Sequence, residues 1–193
     1  MPEEPIAERV SGHALPGAAS TGPLHWYTKQ KSTPGFLADP AQERAATRLQ
    51  QLFDELIEFK TYRGRPFMKT FGRRSPPRGL YIHGSVGRGK SMLMDAFYSQ
   101  LPYRRKRRVH FHAFMQTIHR ELAALKQETD PLILVAEKLA RDVRVLCFDE
   151  FHVSDIGDAM ILARLLETML ARGIVCVMTS NYRPDTLYPN GLQ

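Results

Sequence analysis

The feature that most restricts the folds open to this chain is a glycine-rich octapeptide, GSVGRGKS, from Gly84 to Ser91. It fits the pattern G-x-x-x-x-G-K-[ST], with an apolar segment, GLYIHG, ahead of it and a helical pattern directly behind. Glycine allows positive φ, so successive backbone N–H groups can turn towards a phosphate, and the helix that begins near Lys90 adds its own unpaired N–H groups. The pattern therefore predicts a phosphate-binding loop between a strand and a helix.

Within this loop, Lys90 is expected to reach the β- and γ-phosphates of a nucleotide and Ser91 to offer its hydroxyl to Mg²⁺. The alternative is a glycine-rich turn with a surface lysine, since the bare pattern arises by chance in roughly one chain in a hundred of this length. The strand ahead and the helix behind favour the phosphate loop. The predicted nucleotide-binding residues are Gly84, Ser85, Val86, Gly87, Arg88, Gly89, Lys90 and Ser91.

Apolar runs alternate with helical patterns on both sides of the loop. Predicted strands are GLYIHG, RVHFHAF, VRVLCF and IVCVM, and the helices between them cover residues 90–101, 115–127, 132–141 and 156–172. Strands that are apolar throughout are typical of a parallel sheet covered on both faces. The predicted fold class is therefore α/β, a P-loop NTPase sheet with helices on both faces. Four strands are few for such a sheet, so we expect it to be incomplete at the C-terminus.

Two acids, Asp149 and Glu150, stand at the carboxyl end of the predicted strand VRVLCF, where open α/β sheets bind ligands. Asp149 is expected to hold Mg²⁺, largely through water, opposite Ser91, and Glu150 to orient and deprotonate an attacking water. Alone, a strand that ends in Asp-Glu is a common surface turn. Because it follows a phosphate loop by about 60 residues, we interpret the pair as the Walker B element.

A third polar residue, Asn181, follows the apolar strand IVCVM and is expected at the same edge of the sheet as Lys90 and Glu150. A neutral amide there can donate to a γ-phosphate oxygen and accept from the lytic water. By itself it would be a turn residue before Pro184. With the other two elements present it matches the first sensor of AAA+ ATPases, so the predicted catalytic residues are Glu150, Lys90 and Asn181.

Charge, cysteine content and apolar patterning restrict the cellular compartment and the kind of partner that we expect for this chain. The 193 residues carry a net charge of +7, much of it in the run Arg104–Arg108, with Arg73, Arg74 and Arg78 as a second cluster. A solvated loop is favoured for the run, although it could contact nucleic acid. Cys147 and Cys176 lie in apolar runs and are predicted to be reduced core thiols. The N-terminus resembles neither a signal nor a transit peptide, and no apolar stretch suffices for a membrane span, so the cytoplasm is expected.

The chain is predicted to divide into three parts. Residues 1–40 are interpreted as a flexible lead with an anchoring segment at LHWYTKQ, because Pro, Gly, Ala and Ser dominate them. Residues 41–78 carry a helix, with Ala45, Leu49, Phe53 and other apolar residues at helical spacing, and then a basic connector. Residues 79–193 are the predicted ATPase core.

Four stretches resemble one specific family, the ZapE cell-division ATPases of bacteria with their mitochondrial LACE-type relatives. They are GLYIHGSVGRGKSMLMDAFY, RVHFHAFM with His119 following, LCFDEFHVSDIGDAMIL and TSNYRPDTLYPNGLQ, in the family's order. An early helix, DPAQERAATRL, is also similar, so the likeness covers about Tyr27 to Gln193.

The resemblance implies an AAA+ ATPase domain, ATP and Mg²⁺ as cofactors, and assembly into a ring-shaped homo-oligomer. It implies a role in bacterial division, in which the tubulin-like protein FtsZ is the partner and its polymers are weakened in an ATP-dependent way. The mitochondrial relatives handle respiratory-complex subunits, and the lack of a transit peptide favours the bacterial reading.

Two side-chain pairs are candidate metal ligands. His110 and His112 are predicted to share one face of a strand, but no Cys/His set completes a site, so a partly packed family signature is favoured. Asp155 and Asp158 are better explained as the N-terminal turn of a helix, where carboxylates suit the dipole.

The resemblance also implies an arginine finger and a helical lid with a second sensor, beyond the end of this chain. A missing finger costs roughly 10³ to 10⁵ in rate, or about 4 to 7 kcal/mol. Arg172 and Arg183 are the candidates near this edge, though neither matches a trusted pattern. The 193-residue chain is therefore predicted to bind ATP better than it hydrolyses it.

Three classes of function compete. An ATP-driven remodeller of a protein polymer is favoured. A helicase-loader-like AAA+ protein acting on nucleic acid rests mainly on the basic run, and nucleic acid is the less favoured partner. A nucleotide-regulated binding module without turnover is the third.

Overall fold

The structure, a computed structural model, describes residues 21–64, 74–153 and 155–187. Its helices and strands in chain order are α1 (Pro23–Lys31), α2 (Pro40–Gly64), β1 (Leu80–His83), α3 (Lys90–Gln100), β2 (Lys106–His110), α4 (Phe111–Ala124), α5 (Pro131–Asp142), β3 (Val145–Asp149), α6 (Ile156–Ala171) and β4 (Val175–Ser180). A short 3₁₀ turn covers Pro184–Thr186. None of the helices in these ranges is both long and apolar enough to cross a membrane.

The four strands form one parallel sheet in the order β1-β4-β3-β2. His83 at the end of β1 lies opposite Ser180 at the end of β4, and His110 at the end of β2 lies opposite Asp149. The carboxyl ends of all four strands therefore meet at one edge. This confirms the predicted α/β class and brings the loops that follow the strands together, as in other open α/β sheets.

The sheet separates two apolar clusters, so helices cover both of its faces. On β3, Leu146 and Phe148 pack with α4, α5 and α6, whereas Val145 and Cys147 pack with α1, α2 and α3. Because β3 is buried on both faces, alternate residues pack against different clusters, which explains why its sequence is apolar throughout. Both cysteines are buried and unpaired, as predicted.

The first helix, α1, confirms the anchoring segment predicted at LHWYTKQ within the lead. Tyr27 on α1 is fully buried, lies edge-on to Phe36 with ring centroids 5.8 Å apart, and places its hydroxyl 3.3 Å from the carbonyl oxygen of Asp39. Tyr27 thus anchors α1 to the core, whereas most of residues 32–40 are exposed. Residues 1–20 lie outside the described residues.

The predicted helix of the second segment is confirmed as α2, where Leu49, Leu52, Phe53 and Leu56 are buried. Phe53 meets Phe97 of α3 edge-on at 6.4 Å. Most of the predicted basic connector, including Arg73, lies outside the described residues, while Arg74 forms an ion pair with Glu58 at 2.7 Å.

The boundary between β2 and α4 differs from the prediction, which placed RVHFHAF in a strand and began the helix at Met115. The strand ends at His110, because its pairing partner β3 ends at Asp149 opposite it. Phe111, Phe114, Met115 and Ile118 then follow at helical spacing and are all buried. Helical packing of these four residues outweighs the β-propensity of the aromatic ones.

Candidate nucleotide-binding site

The glycine-rich segment forms a tight loop between β1 and α3. It is tied to the sheet at its start, because the backbone N–H of Gly84 donates to the carbonyl oxygen of Ser180 at 3.2 Å. Gly87 and Gly89 both have left-handed backbone, with φ of 78° and 74°. A Cβ at position 89 would also stand 2.9 Å from the amide nitrogen of Gln42. Both glycines are therefore needed for the shape of the loop.

Lys90 begins α3, and its side chain contacts both the loop and Asn181, which follows the neighbouring strand β4. Its ammonium group donates to the carbonyl oxygens of Gly84 and Ser85, at 2.7 and 2.9 Å, and to Oδ1 of Asn181 at 2.8 Å. Partial burial lowers the pKa of Lys90, and the charge of Glu150 opposes that shift. The structure thus brings together Lys90, Asn181 and Glu150, which are far apart in the sequence.

The side chains of the two acids at the end of β3 lie in different environments. Asp149 is buried, and its two carboxylate oxygens accept from Nε and a terminal nitrogen of Arg108, at 2.5 and 3.1 Å. Glu150 is exposed and has left-handed backbone, with φ of 55°. For a residue with a side chain this conformation costs about 1–2 kcal/mol. The turn separates the two carboxylates, so that they can serve different tasks.

Glu150 and Asn181 share the wall of a cavity of about 370 Å³ at this edge. The same cavity is lined by His152 and Tyr182, whose rings stack at 4.6 Å, and by Asp158. Sequence reasoning missed these three. His152 and Tyr182 closely follow Glu150 and Asn181 in the sequence, so their place at the cavity could have been predicted. Asp158 was predicted only as part of a helix, because its position at the cavity depends on how α6 packs, which no local pattern reveals.

The histidine pair is not on one strand face, contrary to the prediction. His110 ends β2, whereas His112 lies in the first turn of α4, with Nε2 3.0 Å from the side-chain nitrogen of Gln116. His119 pairs with Asp158 of α6 at 2.6 Å. Across the described part of the chain, no three His, Cys, Asp or Glu side chains are arranged to hold a metal ion.

The predicted helical role of Asp155 and Asp158 is confirmed. The Asp155 carboxylate accepts from the backbone N–H groups of Gly157 and Asp158, at 2.7 and 3.2 Å, and so caps α6. Asp158 lies in the first turn of that helix.

The basic run at 104–108 is not a solvated loop, because its last three residues belong to β2. Arg105 donates to the carbonyl oxygen of Ala140 at 2.8 Å, and Lys106 donates to that of Leu101 at 2.8 Å while lying 4.6 Å from the Tyr98 ring centroid. Only part of the run faces solvent. This removes much of the support for a nucleic-acid surface.

Of the arginines considered for the finger, Arg172 does not lie near the site. It follows α6 and pairs with Glu137 at 2.6 Å, among residues that precede β2 and β3 at the opposite edge of the sheet. Arg183 follows Asn181 and is exposed, paired with Asp185 at 3.1 Å. Within the loop itself, Arg88 turns outward to Asp39 at 2.5 Å.

The residues of this edge fit a nucleotide polyphosphate with Mg²⁺. Space is open where a Cβ would stand on Gly84 or Gly87, so the loop has room for phosphate groups. Ser91 is exposed on the first turn of α3, and hydroxyl and carboxylate oxygens such as those of Ser91 and Asp149 are the ligands that Mg²⁺ prefers. Ser154 and residues 188–193, part of the last family stretch, lie outside the described residues.

The parallel sheet, the loop and the polar strand ends define the chain as a P-loop NTPase-like α/β protein. The model of the AFG1-like ATPase family matches residues 21–193, and the chain belongs to this family. The prediction from the four motif stretches is therefore confirmed.

Named relatives agree with this assignment. The chain is 45% identical over 185 residues to the cell division protein ZapE of Escherichia coli K12, covering 90% of this chain and 49% of ZapE. It is 50% identical over 129 residues to lactation elevated protein 1 homolog B of Danio rerio, covering 61% of this chain and 26% of that protein. The chain thus spans about half the length of ZapE.

AMPPCP-bound DnaA from Aquifex aeolicus is similar in fold. The TM-score is 0.53 at 16% identity, and the match covers 79% of this chain and 42% of DnaA. At this identity the likeness concerns the fold alone.

Proposed function

We propose that this protein binds ATP with Mg²⁺ at the loop 84–91, and that the complete protein hydrolyses ATP to act in bacterial cell division. The observation that supports this most is the contact of Lys90 with both the loop and Asn181, beside Glu150. A phosphate-binding lysine, a neutral amide and a carboxylate base at one sheet edge are the parts that phosphoryl transfer to water needs.

Each residue is assigned a role. The loop N–H groups and Lys90 bind the β- and γ-phosphates, while Ser91 and Asp149 would hold Mg²⁺, which would neutralise the phosphate charge. Glu150, exposed at the cavity, takes the proton of the attacking water. Asn181 orients that water and donates to the γ-phosphate.

The isolated 193-residue chain is proposed to bind ATP better than it hydrolyses it. Three arginines that flank the site elements are already paired with acids of the same chain: Arg88 with Asp39, Arg108 with Asp149, and Arg183 with Asp185. A neighbouring subunit of a ring would then supply the finger, worth about 10³ to 10⁵ in rate. We place the assembled protein in the cytoplasm, with FtsZ as its partner by family resemblance.

Binding is tested by titrating AMPPCP with Mg²⁺ into the chain and its Lys90→Ala variant. We expect the variant to lose binding, whereas Lys126→Ala, an exposed lysine outside the site, retains it. Equal binding by all three proteins would exclude the loop as the site.

The cellular role needs the full-length protein. ATP with this protein is expected to reduce the FtsZ polymer recovered by sedimentation, and Glu150→Gln to abolish the effect. Unchanged FtsZ polymer together with DNA binding that weakens steeply with salt would instead favour a nucleic-acid-acting protein.

A further inference from the structure

Arg108 occupies an unusual position between two elements of the proposed site. Its guanidinium contacts both oxygens of Asp149 at the end of β3, and a further nitrogen contacts the carboxylate of Asp95 on α3. The Arg108 side chain is only 14% exposed and that of Asp149 9%. A planar guanidinium that engages both carboxylate oxygens fixes the orientation of the acid as well as its charge.

The sheet register explains how one arginine reaches both partners. Arg108 lies opposite Cys147 on β3, so its side chain shares a face with Cys147 and, two residues on, with Asp149. This is the face that α3 covers. Asp95 stands one turn after Ser91 on α3, on the same side of the helix. One cation therefore links the helix that carries Ser91 to the strand that carries Asp149.

We infer that Arg108 is a positioning residue that competes with Mg²⁺ for Asp149 and thereby sets how strongly nucleotide binding depends on Mg²⁺. The inference rests on the proposed nucleotide site. The guanidinium contacts both Asp149 oxygens in a partly buried region where charges interact strongly, so it would repel a divalent ion held by Ser91 and Asp149. Repulsion weakens Mg²⁺ binding, whereas without Mg²⁺ the same positive charge offsets the repulsion between Asp149 and the phosphates.

Both effects change one measurable ratio in the same direction. This ratio is the dissociation constant of AMPPCP in EDTA divided by that in saturating MgCl₂. In Arg108→Gln the positive charge is lost, so binding in EDTA weakens while Mg²⁺ is held more tightly. We expect the ratio to rise by about tenfold or more over that of the unsubstituted chain. Chelation of Mg²⁺ by AMPPCP in solution is the same for both proteins and cancels.

Two variants separate charge from geometry. Arg108→Lys keeps the charge but loses the fork, so its ratio should stay within about threefold of the unsubstituted chain even if its melting temperature falls. Asp95→Asn breaks only the contact with the exposed acid of α3, and its ratio should also stay within about threefold.

A second measurement covers the case in which Arg108→Gln leaves Asp149 buried without a counter-ion and unfolds. The double variant Arg108→Gln/Asp149→Asn removes both charges, so its melting temperature in EDTA should exceed that of Arg108→Gln. If the ratio is unchanged in Arg108→Gln, or is raised equally in Arg108→Lys, the inferred competition between Arg108 and Mg²⁺ is wrong. The proposed nucleotide site would not be affected by that result. Absence of AMPPCP binding by the unsubstituted chain would instead contradict the proposed function.

Discussion

At the scale of single residues, Asn181 is the clearest case of a side chain whose role depends on its neighbours. It is exposed, and its amide oxygen accepts from Lys90 at 2.8 Å, while Lys90 keeps two loop carbonyls as further acceptors. Loss of the Asn181 side chain should therefore lower the affinity for the nucleotide less than it lowers the rate of hydrolysis, which depends on the attacking water.

In the full-length protein, Asn181→Ala is predicted to slow single-turnover ATP hydrolysis by about 10² to 10³-fold, the usual cost of one donor to a developing charge. The dissociation constant for ATP should change less than about threefold. Thr186→Ala, in the exposed turn that follows, serves as the control. A loss of affinity as large as the loss of rate would make Asn181 a binding residue only.

Cys176 allows a test of burial by pH. Burial raises its thiol pKa from 9.0 to about 12, so the folded state favours the neutral thiol. Its contribution to stability is complete below pH 9 and is lost as pH rises towards 12, at about 1.4 kcal/mol per pH unit.

The measurement is the free energy of urea unfolding between pH 8 and pH 10.5, for the unsubstituted chain and Cys176→Ala. Other titrating groups are common to both proteins. We expect the unsubstituted chain to lose more stability than the variant above pH 9, and parallel curves would show that the thiol ionises in the folded protein.

The positions of the proposed site residues in the structure show where local sequence patterns suffice. Lys90, Glu150 and Asn181 were predicted because each ends a strand or loop whose pattern is local, and parallel strands bring such ends together. The sequence places Arg108 at the junction of the basic run and the predicted strand RVHFHAF but does not predict its contact with Asp149, because the pairing of β2 with β3 joins residues about 40 positions apart and leaves no periodic signal. Which side chains meet across a sheet depends on how distant strands pair, and this is a tertiary property.

At the scale of elements, α6 begins at Asp155, which the sequence predicts in the N-terminal turn of a helix. Asp155 accepts two backbone N–H bonds in the first turn, and this cap also places Asp158 beside His119 of α4. The elements themselves were predictable from apolar spacing, whereas the start of α4 was not, because aromatic residues suit both strands and helices.

Asp155→Ala is predicted to lower the free energy of unfolding by about 1 kcal/mol, because two helix N–H groups lose their acceptor. Glu167→Ala, an exposed acid further along the same helix, should change it by less than about 0.5 kcal/mol. Equal effects in chemical denaturation would mean that charge, rather than the cap, accounts for the difference.

At the scale of the whole molecule, the sheet is held between two apolar clusters, and the N-terminal helices are part of one of them. The same helices reach the phosphate loop. Gln42 donates to the carbonyl oxygen of Arg88 at 3.2 Å, and Asp39 pairs with the Arg88 side chain. Packing of α1 and α2 is therefore connected to the site through short-range contacts.

Tyr27→Ala is predicted to cost about 3–5 kcal/mol of stability, as expected for an aromatic side chain removed from a core. Tyr27→Phe removes only the hydroxyl beside Asp39 and should cost about 1 kcal/mol. Where Tyr27→Ala remains folded, it should also bind AMPPCP more weakly than Tyr27→Phe. A cost below about 1 kcal/mol for Tyr27→Ala would contradict the place of α1 in the core.

The strand order has a consequence for synthesis on the ribosome. The strand that leads into the phosphate loop, β1, pairs with β4, whose residues follow roughly a hundred positions later, and such distant pairing is slow to form. The first backbone N–H of the loop, that of Gly84, bonds to Ser180 at the end of β4. Nascent chains arrested before Val175 should thus fail to bind immobilised ATP, whereas chains extended far enough past Asn181 for β4 to leave the ribosomal exit tunnel should bind it. We therefore expect the phosphate loop, although synthesised early, to acquire its shape only after β4 has been made.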